Sequence, residues 1–193
     1  MLEPGPLLNH LTAGEKGYLL DVARLAIEAA VKDQDPPDTG ALAQMAEIDL
    51  APRLNTKRGA FVTLHLQDRL RGCIGYIEGR VSLLQAVARN ARAAALEDPR
   101  FPPVNRGELA HLEIEISALT PLRPVARTED IVIGRHGILL EKQGRKSVFL
   151  PQVAIEQGWD LETTLGHLAQ KAGLGPADWQ EDARFRVFEA EVF

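Results

Sequence analysis

A chain of 193 residues with 45% apolar and 25% charged side chains has the balance of an ordinary globular protein. At that length about 70% of the unfolded surface is buried on folding, so neither a metal nor a disulfide staple is required. The single cysteine excludes an internal disulfide, and a net charge of −5 gives no global attraction to nucleic acid.

Thr12-Ala13-Gly14-Glu15 has capping-box spacing, in which the Thr12 hydroxyl accepts from the Glu15 amide. Behind it Tyr18, Leu19, Val22, Leu25, Ala26 and Ala29 recur at helical spacing, which predicts a first helix over 13–32. The proline- and aspartate-rich stretch 33–40 ends that helix, 41–47 reads as a short helix, and APRLNTKRG (51–59) reads as a basic loop.

AFVTLHLQ (60–67) and RLRGCIGYI (69–77) alternate and carry β-branched residues, which predicts a hairpin with a three-residue turn at 67–69. That turn sets Leu66 against Leu70, His65 against Arg71, Thr63 against Cys73 and Phe61 against Gly75. Leu64, Leu66, Leu70 and Ile74 then share the core face, while Thr63, His65, Arg71 and Cys73 share the other. Ser82 and Gln85 repeat the capping-box spacing before a helix to about Leu96, with Leu83, Leu84, Val87, Ala91 and Ala94 on its buried side. Pro99, Pro102 and Pro103 stop it and stiffen the loop EDPRFPPV.

HLEIEISAL (111–119) alternates strictly, with Leu112, Ile114, Ile116 and Ala118 inward and Glu113, Glu115 and Ser117 outward, which predicts a half-buried antiparallel strand. IVIG, GILLEK and KSVFLP, within 131–151, predict three short strands with Gln143-Gly144-Arg145 as a hairpin turn. Asp160 caps a helix to about Ala172, and Gly173 supplies its left-handed terminator. RFRVFEAEVF (184–193) changes phase at Val187-Phe188, which a β-bulge in one strand would absorb. Strands joined by hairpins and interspersed with helices give an α+β fold, with mixed or antiparallel sheets and flanking helices. There is no internal repeat and no low-complexity segment. No 18-residue apolar run and no basic-then-apolar leader occur, so the expectation is a cytoplasmic protein that does not engage a membrane.

Several of these stretches together resemble one family. They are Gly59-Ala60-Phe61-Val62, Leu70-Arg71-Gly72-Cys73-Ile74-Gly75 and Asp98-Pro99-Arg100-Phe101-Pro102-Pro103, with 132–138 (VIGRHGI), 150–154 (LPQVA) and 156–160 (EQGWD). The pattern is similar to the AMMECR domain family, which includes protein A of the AmmeMemoRadiSam system, and it runs from about residue 10 to Phe193. The resemblance implies a single AMMECR-like domain over 1–193, with a larger and a smaller interleaved subdomain around a cleft near the LRGCIG hexapeptide. It also implies company: a Memo-like protein and a radical-SAM protein. It does not imply a reaction.

On the predicted hairpin Cys73 lies near Arg71 and His65, whose charge would favour a nucleophilic thiolate. The same cysteine also reads as a small packed hydrophobe, and metal ligation is a third reading. His136, between Gly134 and Gly137, suits a general base near neutrality or a side chain that holds its turn by a backbone hydrogen bond. Asp98, Arg100 and Arg71 are candidates for binding a small anion or carboxylate, and the alternative for Asp98 and Arg100 is that they satisfy the loop and each other. Glu113 and Glu115 read as a solvated strand face.

No HExxH or CxxC, no glycine-rich phosphate loop and no GxSxG elbow appears, so no motif names a metal, a cofactor or a nucleotide. Five cations against one acid in 53–71 suit a protein surface or small anion better than nucleic acid, because the chain as a whole is acidic and the cations are not interleaved with aromatic rings as a stacking platform requires. Three functions follow. The first is an accessory or interaction domain working with the Memo-like and radical-SAM proteins. The second is a thiol enzyme with Cys73 as nucleophile and His136 as base, and the third is a nucleic-acid binder through 53–71.

Overall fold

The computed structural model describes residues 10–35 and 52–193. The short helix expected at 41–47 lies outside the described residues. Helices and two four-stranded sheets make the fold α+β. The chain divides into two compact units, one of Met1–Leu119 with Glu191–Phe193 and the other of Thr120–Ala190.

In the first unit, α1 (Ala13–Val31) starts at the full Thr12/Glu15 capping box. It buries Tyr18, Leu19, Val22, Ala23, Ala26, Ile27 and Ala29, while Leu25 is only half-buried. The segment expected to be a basic loop contains a one-turn helix, α2 (Pro52–Asn55), that buries Leu54. Proline suits a helix start because its missing N–H would have no partner there.

The first sheet has the order β2-β1-β3-β8, with β1 (Ala60–Leu66), β2 (Arg69–Tyr76), β3 (Leu112–Leu119) and β8 (Ala190–Val192). Helix α1 and helix α3 (Leu83–Leu96) pack on each other, with α3 over β1 and β2 and α1 over β3. Ser82 caps α3 by accepting from the Gln85 amide, and all five residues expected on its inner side are buried, joined by Ala86, Asn90 and Ala95. Ala60, Val62 and Leu64 of β1 complete the core from below, each fully buried.

The β1–β2 hairpin departs from the expected register at its tip. Its turn has two residues, Gln67 and Asp68, both at positive φ (53° and 60°), so Leu66 pairs with Arg69 and His65 with Leu70. That mirror-image turn matches the twist of the flanking strands. A bulge then leaves Arg71 without a cross-strand partner and restores the expected pairs Thr63↔Cys73 and Phe61↔Gly75. One extra residue reverses which face each side chain takes. Leu70, expected in the core, therefore lies opposite His65 and is 40% exposed, while Gly72 takes the core face opposite Leu64. A Cβ on Gly72 would collide with the backbone carbonyl of Ala94 in α3, so only glycine lets strand and helix approach this closely.

β3 pairs antiparallel with β1, and its expected outward Ser117 is buried at 7% exposure. As an inner strand flanked by β1 and β8, β3 is covered more fully at this end than strict alternation anticipates.

In the second unit the sheet order is β4-β7-β5-β6, all antiparallel, with β4 (Arg123–Val125), β5 (Gly137–Lys142), β6 (Arg145–Phe149) and β7 (Arg184–Phe188). Ile138 and Leu140 face Val187 and Phe185 across β5 and β7 and pack against Leu165 and Leu168 of α5 (Leu161–Lys171). Asp160 caps α5 through the Thr163 amide, and Gly173 has φ 74° just beyond its end. The expected strand at 131–134 is a turn, because Gly134 is at φ 82° and the His136 amide bonds back to the Val132 carbonyl. KSVFLP ends as a strand at Phe149, and Pro151 opens helix α4 (Pro151–Gln157), since proline ends the ladder but suits a first helical turn. The turn between β5 and β6 has two residues, Gln143 and Gly144, and Arg145 already pairs with Lys142.

The phase change expected as a bulge in one last strand is a change of sheet. β7 ends at Phe188 in the second sheet, and β8 begins at Ala190 in the first.

Candidate functional site

β2 is an edge strand, so every second residue along it turns a backbone N–H and C=O away from the sheet. At Cys73 those groups are taken by the chain itself. The Cys73 amide donates to Asp98 Oδ2 at 2.8 Å, and the Cys73 carbonyl accepts from Arg100 Nη2 at 3.3 Å. Arg100 also donates to Asp98 through its own amide (3.1 Å), Nε (2.9 Å) and Nη2 (2.7 Å). Pro99 rigidly separates the two. The Asp98 carboxylate is buried, and the Arg100 guanidinium holds it far below the usual carboxylate range, helped by the Cys73 and Arg100 amides. The DPR segment thus takes the place of a neighbouring strand.

Arg71, freed from the ladder by the bulge, points to the same proline-rich loop. Its Nε and Nη2 grip Glu108 at 2.7 and 3.1 Å, and its Nη1 donates to the Pro102 carbonyl at 2.9 Å. Glu108 is lowered below the ordinary glutamate range chiefly by Arg71, and it accepts from the Asn105 backbone and side chain as well. The two cations expected beside the thiol are therefore placed elsewhere: Arg71 on Glu108, and His65 opposite Leu70.

The Cys73 side chain is half-buried, with Sγ 3.3 Å from Thr63 Oγ1. Glu115 lies opposite Thr63 on β3, so Cys73, Thr63 and Glu115 form one cross-strand row. Glu115 is half-buried and Glu113 exposed. The Thr63 pairing was legible in the hairpin register. The role of Glu108 carried no motif, since it depends on a loop closing over a bulge.

His136 belongs to the second unit and is 5% exposed. Its Nδ1 accepts from the Val132 amide at 3.0 Å, and its Nε2 lies 2.9 Å from Arg123 Nη2. Both neighbours are donors, so a protonated ring would have no acceptor left to offer. Burial, and then the charge of Arg123, lower its pKa below the ordinary histidine value. Of its two readings, the turn-holding contact is present: side chain and amide both bond Val132.

Of the five cations in 53–71, three have internal partners. Arg53 pairs with Glu15 (3.1 Å), Arg71 with Glu108, and Arg58 is buried with Nε on the Leu119 carbonyl (2.7 Å) and Nη2 3.7 Å from Glu191. A pocket of about 410 Å³ in the first unit is lined by Tyr76, Arg80, Arg89 and Asn90 among others, not by Cys73, Arg71, Asp98 or Arg100. Among the described residues, no helix is long and apolar enough to cross a membrane, and no group of three or more His, Cys, Asp or Glu residues is placed to hold a metal ion.

The two segments joined by the clamp, LRGCIG and EDPRFPP, are among those that carried the family resemblance. Comparison with known proteins agrees with it. Protein MK0488 of Methanopyrus kandleri is 41% identical over 197 residues, covering 95% of this chain and 89% of its own. A Thermococcus gammatolerans protein is 40% identical over 190 residues, covering 91% and 88%. The crystal structure of uncharacterized protein PH0010 from Pyrococcus horikoshii superimposes with a TM-score of 0.72 at 35% identity, over 91% of this chain and 88% of that one. The AMMECR1 family model matches residues 20–193, and the chain belongs to the AMMECR1 family.

Proposed function

We propose that this chain is an accessory domain that works by protein contact, in company with a Memo-like protein and a radical-SAM enzyme. The observation that supports this reading is the Asp98–Arg100 clamp on the Cys73 backbone. The polar groups of the family motif bind one another, as Arg71 binds Glu108, so the motif builds a shaped and rigid wall rather than a set of side chains aimed at a substrate.

The test is co-expression with the Memo-like and radical-SAM proteins of the same source, followed by affinity capture and size-exclusion chromatography. The expected result is retention of at least one of them at micromolar concentration by the wild type and by Cys73→Ser alike. Retention of neither would end the reading.

A second reading, a thiol enzyme built on Cys73, is favoured by the half-exposed Sγ beside the Thr63 hydroxyl. It predicts alkylation of the native, folded protein by iodoacetamide. A thiol that reacts only after unfolding would remove it.

A further inference from the structure

The 410 Å³ pocket of the first unit lies between α3 and the segment that follows Tyr76, apart from the clamp. Its volume falls within the roughly 300–1,000 Å³ of small-molecule sites. Asn90 and Ala60, 2% and 0% exposed, are its two most buried lining residues. Asn90 Nδ2 donates to the Ala60 carbonyl at 2.9 Å, and a carbonyl only accepts, so the orientation of the amide is fixed. Asn90 Oδ1 accepts from no described residue and is the acceptor offered to the pocket.

At the rim, Tyr76 is 61% exposed, an unusual position for an aromatic ring on a strand end. Arg80 and Arg89 line the same pocket, exposed, and neither guanidinium makes an ion pair or hydrogen bond with any described residue. Their condition contrasts with Arg53, Arg71 and Arg100, each of which has a carboxylate partner. The pocket therefore combines a buried acceptor, a ring for stacking and two uncommitted guanidinium groups.

We propose that this pocket binds a mononucleotide. The exocyclic amino group of the base donates to Asn90 Oδ1, the base lies against Tyr76, and the phosphate meets Arg80 and Arg89. Guanidinium groups match phosphate oxygens in geometry and charge, and aromatic rings accept any base face. No glycine-rich loop takes part, which is why no phosphate-binding motif marks the sequence.

Titration calorimetry on the whole chain tests this with four probes: AMP, IMP, adenosine and inorganic phosphate. AMP is expected to bind one to one and saturably. IMP, which replaces the amino donor with a carbonyl, is expected to bind at least about tenfold more weakly, because two acceptors then face each other. Adenosine and phosphate alone are each expected to bind more weakly than AMP. Arg80→Ala with Arg89→Ala is expected to weaken AMP at least about tenfold at an unchanged melting temperature, since neither side chain supports the fold. Tyr76→Ala weakens AMP and adenosine alike. No saturable AMP binding at millimolar concentration would overturn the assignment. So would IMP or phosphate binding as well as AMP, or a double arginine variant that binds AMP like the wild type.

Discussion

His136 shows how a single side chain ties chemistry to stability. In the fold its pKa lies below the ordinary 6.5, because the ring is buried and faces Arg123. The unfolded chain therefore takes up a proton, as pH falls through 6.5, that the folded chain refuses. Its stabilising contribution is complete above pH 6.5 and is lost progressively below it. The urea midpoint followed by Trp159 and Trp179 fluorescence, both in the second unit, is expected to fall between pH 7.5 and pH 5. His136→Gln keeps an acceptor for the Val132 amide and is expected to flatten that dependence. His136→Ala is expected to cost about 1 kcal/mol at pH 7.5 through the lost hydrogen bond. A slope unchanged in the Gln variant would place the titration elsewhere. The glycines around His136 suggested a turn from the sequence alone, but the Arg123 contact was hidden, since β4 is three residues long and carries no alternation to read.

Among the elements, the β1–β2 hairpin has the most consequence. Gln67 and Asp68 both sit in the left-handed region, where a Cβ crowds the following carbonyl. Replacing the pair by Asn-Gly is expected to stabilise the first unit by about 1 kcal/mol, read as a raised urea midpoint by circular dichroism. A lowered midpoint would mean the turn is not of this type. The middle of the hairpin was legible because Val62 and Leu64 alternate cleanly with Thr63 and His65. Its tip was not, because a two-residue turn with a bulge and a three-residue turn without one reach the same Thr63↔Cys73 pair. Only burial separates the two, and burial put Leu70 outside. The helices gave themselves away more fully, since Thr12, Ser82 and Asp160 each bond the amide three residues on, as their spacing implies.

At the scale of the whole molecule, the chain leaves its first unit at Leu119 and returns to it at Glu191. The return is held by specific contacts. Glu191 accepts from the Leu11 amide and pairs with Lys16 at 3.1 Å and with buried Arg58, and Phe193 exchanges two backbone hydrogen bonds with Ile116. Truncation after Glu189 is expected to destabilise the first unit by about 3–5 kcal/mol, because a buried cation loses its carboxylate and β3 becomes an edge. Hydrogen exchange read by mass spectrometry is expected to show lost protection in β1 to β3, with the β5–β7 ladder unchanged. Equal loss in both sheets would contradict it. The return was not legible because a change of phase at Val187-Phe188 suits a bulge in one strand as well as a change of sheet, and one residue, Glu189, separates the two strands.

The DPR segment also has a consequence for assembly. A sheet edge invites another chain because its donors and acceptors repeat at a fixed spacing that any strand can copy. At Cys73 that invitation has been answered by an ionised carboxylate and a guanidinium from the same molecule, whose arrangement no incoming backbone can reproduce. A strand added along β2 would therefore be met at Cys73 by charge rather than by proline, and the Cys73 amide, although at the border of its sheet, is expected to exchange its hydrogen like one in the middle.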